Sequence, residues 1–478
     1  MKPTTGGPLP RAAVPWHVSA TNDLSSIPFW LDSPEAPAPT GPLTGSEECD
    51  LAIVGGGYTG LWAALQAKER DPGRDVVVLE AGRLGWQASG RNGGFCMSTL
   101  THGTGNGEAK FPREIKRLEA LGMENLAAME ETWARYEIDC SWERTGELGL
   151  ATDPWQADAL RRERGALERT GRPFEFFDRE AIRAEVTVPG VVAGLWLVDS
   201  CAMVDPARVA WGVARACRSL GVRIHEGTPV TELDRAAAGV RLTTPAGTVR
   251  ASKVVLGTNA FKPLLKRLSL LMVPVYDYAL VTEPLTPEQR ASIGWKRRQG
   301  LFDAGNHFHY FRLTADDRIL WGGYDAVYHY GSAVRPEFDV RPQTFAKLSR
   351  HFFAMFPQLE GVRFTHGWGG VIDTSTRFCP FFGTALGGRV AYALGYTGMG
   401  VGASRFAAQV TLDLLSGERT ALSELDLVRS TPVPWPPEPL RWGVVELTQR
   451  AMTYADCHGG ARNRWLRTLD RLGVGFDS

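Results

Sequence analysis

Residues 49–60 read Cys49-Asp50-Leu51-Ala52-Ile53-Val54-Gly55-Gly56-Gly57-Tyr58-Thr59-Gly60. An apolar strand runs there straight into Gly55-x-Gly57-x-x-Gly60 and on into a helical pattern that begins at Tyr58 and Thr59, the layout of a pyrophosphate cradle. Gly55 permits the tight turn, Gly57 lets the backbone approach phosphates, and Gly60 lets helix pack on strand. The helix start adds free N–H groups and a positive dipole end. A second apolar run, Val76-Val77-Val78-Leu79, ends at Glu80-Ala81, twenty residues past Gly60. An acid at that distance accepts both hydroxyls of an adenosine ribose and disfavours a 2′-phosphate.

The 478 residues, 44% of them hydrophobic, suffice for a large core divided into two or three units. Lys plus Arg and Asp plus Glu number 53 each, so no global field draws the chain to nucleic acid or an anionic membrane. Seven cysteines without a C-x-x-C pair or metal-ligand spacing read as reduced thiols of a cytoplasmic protein, with neither a disulfide framework nor a metal centre. No apolar run is long enough to span a bilayer, and the first residues lack the basic-then-apolar layout of a signal peptide.

Outward from the glycine loop the chain alternates between two characters. Residues 1–46, rich in Pro, Gly, Ser and Thr, are expected to form an irregular arm pinned by Phe29-Trp30-Leu31. Apolar spacing from 113 to about 136 predicts a long helix or helix pair, and Pro206 to Gly221 reads as a helix with Pro at its start and Gly after its end. Strand patterns follow at 222–225, 230–233, 240–243 and 253–257. Aromatic strand runs fill 266–360, among them Val273 to Thr282 and His307 to Leu313. A second strand-to-helix glycine junction lies at Gly395-Tyr396-Thr397-Gly398-Met399-Gly400-Val401. The expected fold is therefore α/β: a discontinuous Rossmann-like nucleotide domain (47–110, 196–265, 361–418) interrupted by a mostly antiparallel substrate sheet (111–195, 266–360). A linker and a basic amphipathic tail (419–478) follow.

A nucleotide fold spread over three separated blocks suits FAD better than NAD. Glu80-Ala81-Gly82, then Ala88-Ser89-Gly90-Arg91-Asn92-Gly93-Gly94, Met203-Val204-Asp205-Pro206, Trp368-Gly369-Gly370 and the junction at 395–401 together resemble the D-amino-acid oxidase/glycine oxidase family of flavoproteins. The order and spacing agree from about residue 28 to 417. Within it, Thr282-Glu283-Pro284-Leu285 and Tyr310-Phe311-Arg312-Leu313-Thr314 before Gly322-Gly323 are similar to the gamma-glutamylputrescine oxidase branch.

The resemblance implies an FAD-dependent oxidoreductase that oxidises a C–N bond of an amine or amino acid by hydride transfer to flavin N5. It places Gln87 to Gly94 along the flavin, Val230 at the adenine and Thr258 beside the pyrophosphate. Gly398, Met399, Gly400 and Val401, at a helix start, would face the negative edge of reduced flavin. Sarcosine-oxidising relatives carry a substrate-binding lysine where this chain has Gly402, and an oxygen-assisting lysine near Trp321. The acceptor is thus oxygen or another oxidant, and an amine or a large amino acid fits better than glycine or sarcosine. Relatives that hold FAD covalently use a Cys or His near the Trp-Gly-Gly strand or the first flavin loop. His366, Trp86-Gln87 and a displaced Cys379 stand there, so FAD is expected to be non-covalent.

No acid–base residue is required by this chemistry, and none is assigned. Pocket candidates are Tyr276, Tyr278, His307, His309, Tyr310, Arg312, Trp321 and Trp368, with two strand faces equally open: Phe308, Tyr310 and Arg312, or His307, His309 and Phe311. The competing readings are a flavin-dependent monooxygenase and a non-catalytic flavoprotein binding subunit. Homo-oligomerisation stays open.

Overall fold

A computed structural model describes residues 16–472 and 474. The first fifteen positions of the arm and the last few of the tail therefore lie outside the described residues.

Two eight-stranded sheets organise the chain. In the first, Gly45–Val54 is central, paired in parallel with Gly247–Leu256 on one side and Val76–Leu79 on the other. Arg223–His225 extends it in parallel beyond Val76–Leu79, and Val390–Leu394 beyond Gly247–Leu256. The runs Leu51–Val54 and Val76–Leu79 are buried on both faces, as a covered parallel sheet requires. Helix Tyr58–Arg70 packs against both Pro206–Ser219 and Gly400–Ser416 on this sheet. Pro206–Ser219 starts as its sequence promised: Asp205 accepts the Arg208 N–H at 3.0 Å and Pro206 occupies the first turn. Apolar spacing from 113 resolves into one helix, Ile115–Arg135.

The second sheet runs in the order Phe364–Thr374, Val273–Thr282, Ile319–Gly323, His309–Leu313, Gly300–Asp303, Glu147–Ala151, Ala193–Leu197, Glu175–Phe177. All its pairs are antiparallel except Gly300–Asp303 with Glu147–Ala151. Phe364–Thr374, grouped by sequence with the nucleotide blocks, is an edge strand of this sheet, because its eleven residues pair along nearly the whole of Val273–Thr282. One face carries Tyr276, Tyr278, Phe311, Trp321 and Leu148 into a core shared with helix Pro342–Met355. The other carries Ala279, Leu320, Tyr310 and Trp368 toward the first domain.

The arm is pinned as expected. Trp30 and Leu31 are buried, and the Trp30 indole donates to the Asn92 carbonyl at 2.9 Å. The tail forms helices Leu440–Cys457 and Arg464–Arg471, joined to the second sheet's loops by Asp456, which accepts from the Asn306 and His307 amides at 2.9 and 3.0 Å. Among the described residues no helix is long and apolar enough to cross a membrane.

Candidate functional site

The glycine loop is as crowded as its sequence implies. A Cβ on Gly60 would collide with the Gly55 carbonyl oxygen, and Gly55 itself sits at φ +108°. Only glycine meets both conditions. The result is a helix N-terminus aimed into a cavity of about 790 Å³ that runs between the two sheets. Gly55, Gly57, Tyr58 and Thr59 line it, as do Glu80 and Ala81 at the end of the second strand. Glu80 accepts the Gly56 and Gly82 amides at 2.6 and 2.7 Å. A carboxylate has about four acceptor positions, so capacity remains for a ligand's hydroxyl. Tyr58 contributes no hydroxyl there, because its OH donates to the Pro206 carbonyl at 2.8 Å. Val230 and Thr258 close this end.

Along the middle of the cavity lie Gln87, Ala88, Ser89, Arg91, Asn92 and Gly93. Ser89 Oγ accepts the Tyr58 N–H at 2.9 Å, tying this loop to the cradle. Arg91 is spent on structure: its guanidinium reaches Asp339 at 2.5 Å, the Gly369 carbonyl at 3.0 Å and the Trp86 carbonyl at 2.9 Å. In return the Trp368 indole donates to the Arg91 carbonyl at 2.9 Å. Gly60, Gly90 and Gly94 do not line the cavity. Gly60 is the helix contact, Gly90 packs under Leu31, and Gly94 lies beneath the Val204 carbonyl.

Gly398, Met399, Gly400 and Val401 also line the cavity, with helix Gly400–Ser416 pointing its N-terminus inward. Their loop is held by Asp373, which accepts the Gly395 and Tyr396 amides at 2.5 and 3.2 Å. Burial pushes the Asp373 carboxyl up to about 7, against those two hydrogen bonds. A Cβ on Gly402 would collide with the Met97 carbonyl oxygen, so no lysine fits there.

The sheet face that meets the cavity is that of Tyr310, beside Phe308. The Tyr310 hydroxyl donates to Asp277 at 2.7 Å, and burial raises Asp277 to about 6 despite that bond. Trp368 and His307 also line the cavity, His307 with its ring held by the Tyr324 and Gln449 carbonyls at 2.9 and 3.3 Å.

Five other aromatic and basic candidates either lie away from the cavity or spend their polar groups on structure. Tyr276 and Trp321 belong to the core behind the sheet, and Tyr278, though it borders the cavity, donates its hydroxyl to the Phe338 carbonyl at 2.8 Å. His309 pairs with Asp303 at 2.6 Å and His351 at 3.0 Å on the same rear face, stacked on Trp321. Arg312 shares the Tyr310 face but gives its guanidinium to the Val204 and Gly94 carbonyls at 2.6 and 3.3 Å, and burial lowers it to about 10. Strand alternation puts an aromatic pair behind the sheet whenever the residue between them faces the cavity.

That residue, Asp277, escaped the sequence reading, which followed aromatics. Asp373, Glu147 and the tail residues Val444, Thr448, Gln449 and Met452 also line the cavity and were missed. An acid inside the apolar strand Glu147–Ala151 was the available signal for Glu147. Nothing in the tail's composition announced a cavity wall. Among the described residues no cluster of three His, Cys, Asp or Glu side chains is arranged to hold a metal.

Comparison with known proteins agrees with this geometry. Gamma-glutamylputrescine oxidoreductase of Escherichia coli (strain K12) is 33% identical over 397 residues, covering 82% of this chain and 89% of that one. Sarcosine oxidase subunit beta of an Arthrobacter species is 24% identical over 69% of this chain and 78% of its own length. Glycine oxidase from Geobacillus kaustophilus has the same fold, with a TM-score of 0.67 at 22% identity over 80% of this chain and 99% of that one. The family model described as FAD dependent oxidoreductase, DAO, matches residues 50–414, and the chain belongs to that family of enzymes.

Proposed function

We propose that this enzyme oxidises the C–N bond of an amine or a large amino acid, with FAD held non-covalently along the cavity. The observation that carries the reading is continuity: one cavity is lined at one end by Gly55, Gly57, Tyr58, Thr59 and Glu80, and at the other by Asp277 and Tyr310. Gly57, Tyr58 and Thr59 would hold the pyrophosphate on helix N–H groups, Glu80 the ribose, Val230 the adenine, and Gln87 to Gly93 the ring. Bound FAD supplies the acceptor for a hydride from the carbon next to the amine nitrogen, and the resulting imine adds water and releases that nitrogen.

The chain's own side chains set the conditions for that transfer. Asp277, held by Tyr310, accepts a hydrogen bond from the amine nitrogen, and Trp368 walls off the reacting end. The inward helix end at Gly400 favours negative charge at the neighbouring ring edge. Support for dissociable FAD comes from His366, whose ring is engaged by Asp32 at 3.2 Å and Thr365 at 2.8 Å, and from a lining that contains no cysteine among the described residues. The name of the Escherichia coli relative favours amines over small amino acids.

Anaerobic mixing with primary amines, N-methyl amino acids and D-amino acids, following loss of the visible flavin band, tests the reading. Bleaching by an amine is the expected result, and no bleaching by any member of the panel would overturn it. Gly57→Val tests the cradle separately. A Cβ there lies 2.9 Å from Ser89 Oγ before the larger side chain is added, and the variant should purify colourless.

A further inference from the structure

Strand Glu147–Ala151 lies two strands from Tyr310 in the second sheet. Phe302 is opposite both Tyr310 and Gly149, so about 10 Å of sheet separates Tyr310 from Gly149, and Glu147 stands two residues farther along. Gly149, Ala151 and Glu147 occupy the face covered by helix Pro154–Thr170, opposite to that of Leu148 and Leu150. Glu147 lines the cavity and is only 5% exposed. The cavity lining also holds the apolar Phe95, Met97, Leu160, Leu195 and Leu197, together with His102 and Glu163.

Among the described residues no group hydrogen-bonds to the Glu147 carboxyl. A second carboxyl, Glu163, lines the same part of the cavity, but it accepts the Thr104 and Gly105 amides and so caps a neighbouring helix. The cations near that helix end are committed elsewhere, Arg169 to Glu108 at 2.7 Å and Arg172 to Glu119. Burial, together with the Glu163 charge, pushes Glu147 up to about 8. An acid buried without a partner is costly, and one kept at a cavity wall is relieved by a ligand that brings the missing charge.

We infer that Glu147, backed by Glu163, binds a second cationic group of the substrate, remote from the C–N bond that is oxidised. The substrate class is a long, flexible diamine or polyamine: one nitrogen at Asp277 and Tyr310, a protonated nitrogen at Glu147, and a methylene chain along the apolar wall between them. This rests on the proposed amine chemistry. A neutral hydrogen-bonding ligand is the other occupant such an acid would take, and Gln discriminates the two. Glu147→Gln keeps a donor and the side-chain shape but removes the charge.

The experiment is anaerobic calorimetric titration of the flavin-loaded protein with straight-chain diamines from diaminobutane to diaminooctane, each against the monoamine of equal length. The flavin band is read on the same samples. The expected result is that the best diamine binds at least about tenfold tighter than its monoamine, as a charge-assisted pair allows, and that the advantage disappears in Glu147→Gln while monoamine affinity is kept. Glu163→Gln should reduce the advantage in part. Equal binding of diamine and monoamine by the unaltered protein overturns the inference, with no variant needed. So does a diamine advantage that survives in Glu147→Gln. Diamine-selective binding without bleaching would sink the proposed oxidation and leave the subsite standing, whereas bleaching without diamine selectivity would do the reverse.

Discussion

The two ends of the cavity are built on different principles. At the cradle end, Gly55 to Gly60 and Glu80 present backbone groups and one carboxylate that already accepts two amides, all within a few dozen residues of chain. At the proposed amine end, Asp277, Tyr310, Trp368 and Glu147 arrive from four strands, and the tail adds Thr448, Gln449 and Met452. A backbone site tolerates no change of shape. A side-chain site tolerates exchange at the cost of selectivity, which is how one fold serves many substrates.

That contrast is most easily broken at Gly60. Gly60→Val places a branched side chain against the Gly55 carbonyl, and the expected outcome is loss of flavin and of soluble protein, measured by absorbance per mole of purified chain. If yellow protein were recovered, the cradle would not be a rigid backbone site.

Next in size is the pH dependence contributed by Glu147. Its carboxyl is raised from 4.5 to about 8 in the folded protein, so between those values the folded state holds more protons than the unfolded one. Stability therefore falls as pH rises through that window. Glu147→Gln should flatten this slope by on the order of 2–4 kcal/mol, read from urea midpoints near pH 5 and pH 8. An unchanged slope would mean that the side chain is hydrated.

Arg91→Lys joins the two ends, since Arg91 ties the loop from Gln87 to Gly93 to Asp339 and Gly369. Lysine lacks the planar fork, and a loss of about 2–3 kcal/mol with weaker flavin retention during dialysis is expected. Tyr310→Phe takes the hydroxyl donor from the buried Asp277, leaving it the Tyr278 N–H at 2.8 Å, and should cost about 1–2 kcal/mol in a denaturant titration, with flavin content unchanged. The smallest effect is expected at Met452→Ala. That half-buried side chain belongs only to the amine end, so amine affinity should move by less than about tenfold while the visible spectrum stays the same.

The cradle was legible because glycine spacing is a backbone requirement: Gly55 needs its positive φ and Gly60 its missing Cβ whatever surrounds them. Glu80 was legible for the same reason, as the residue that ends the strand beside the loop. Of the pocket candidates, Tyr310 and Trp368 line the cavity, while Tyr276 and His309, named from strand alternation, and Trp321, named from the resemblance, lie behind the sheet. Period-two alternation sorts residues into two faces but carries no label for which face is inside.

By itself, then, the sequence determined the strand–glycine loop–helix turn and the family, because each depends on local backbone geometry and spacing along the chain. Tertiary structure alone decided which face of the second sheet meets the cavity, that Phe364–Thr374 is its edge strand, that the tail forms a wall, and that Glu147 is left without a partner among the described residues. Those are outcomes of packing between segments hundreds of residues apart, and no local pattern encodes them.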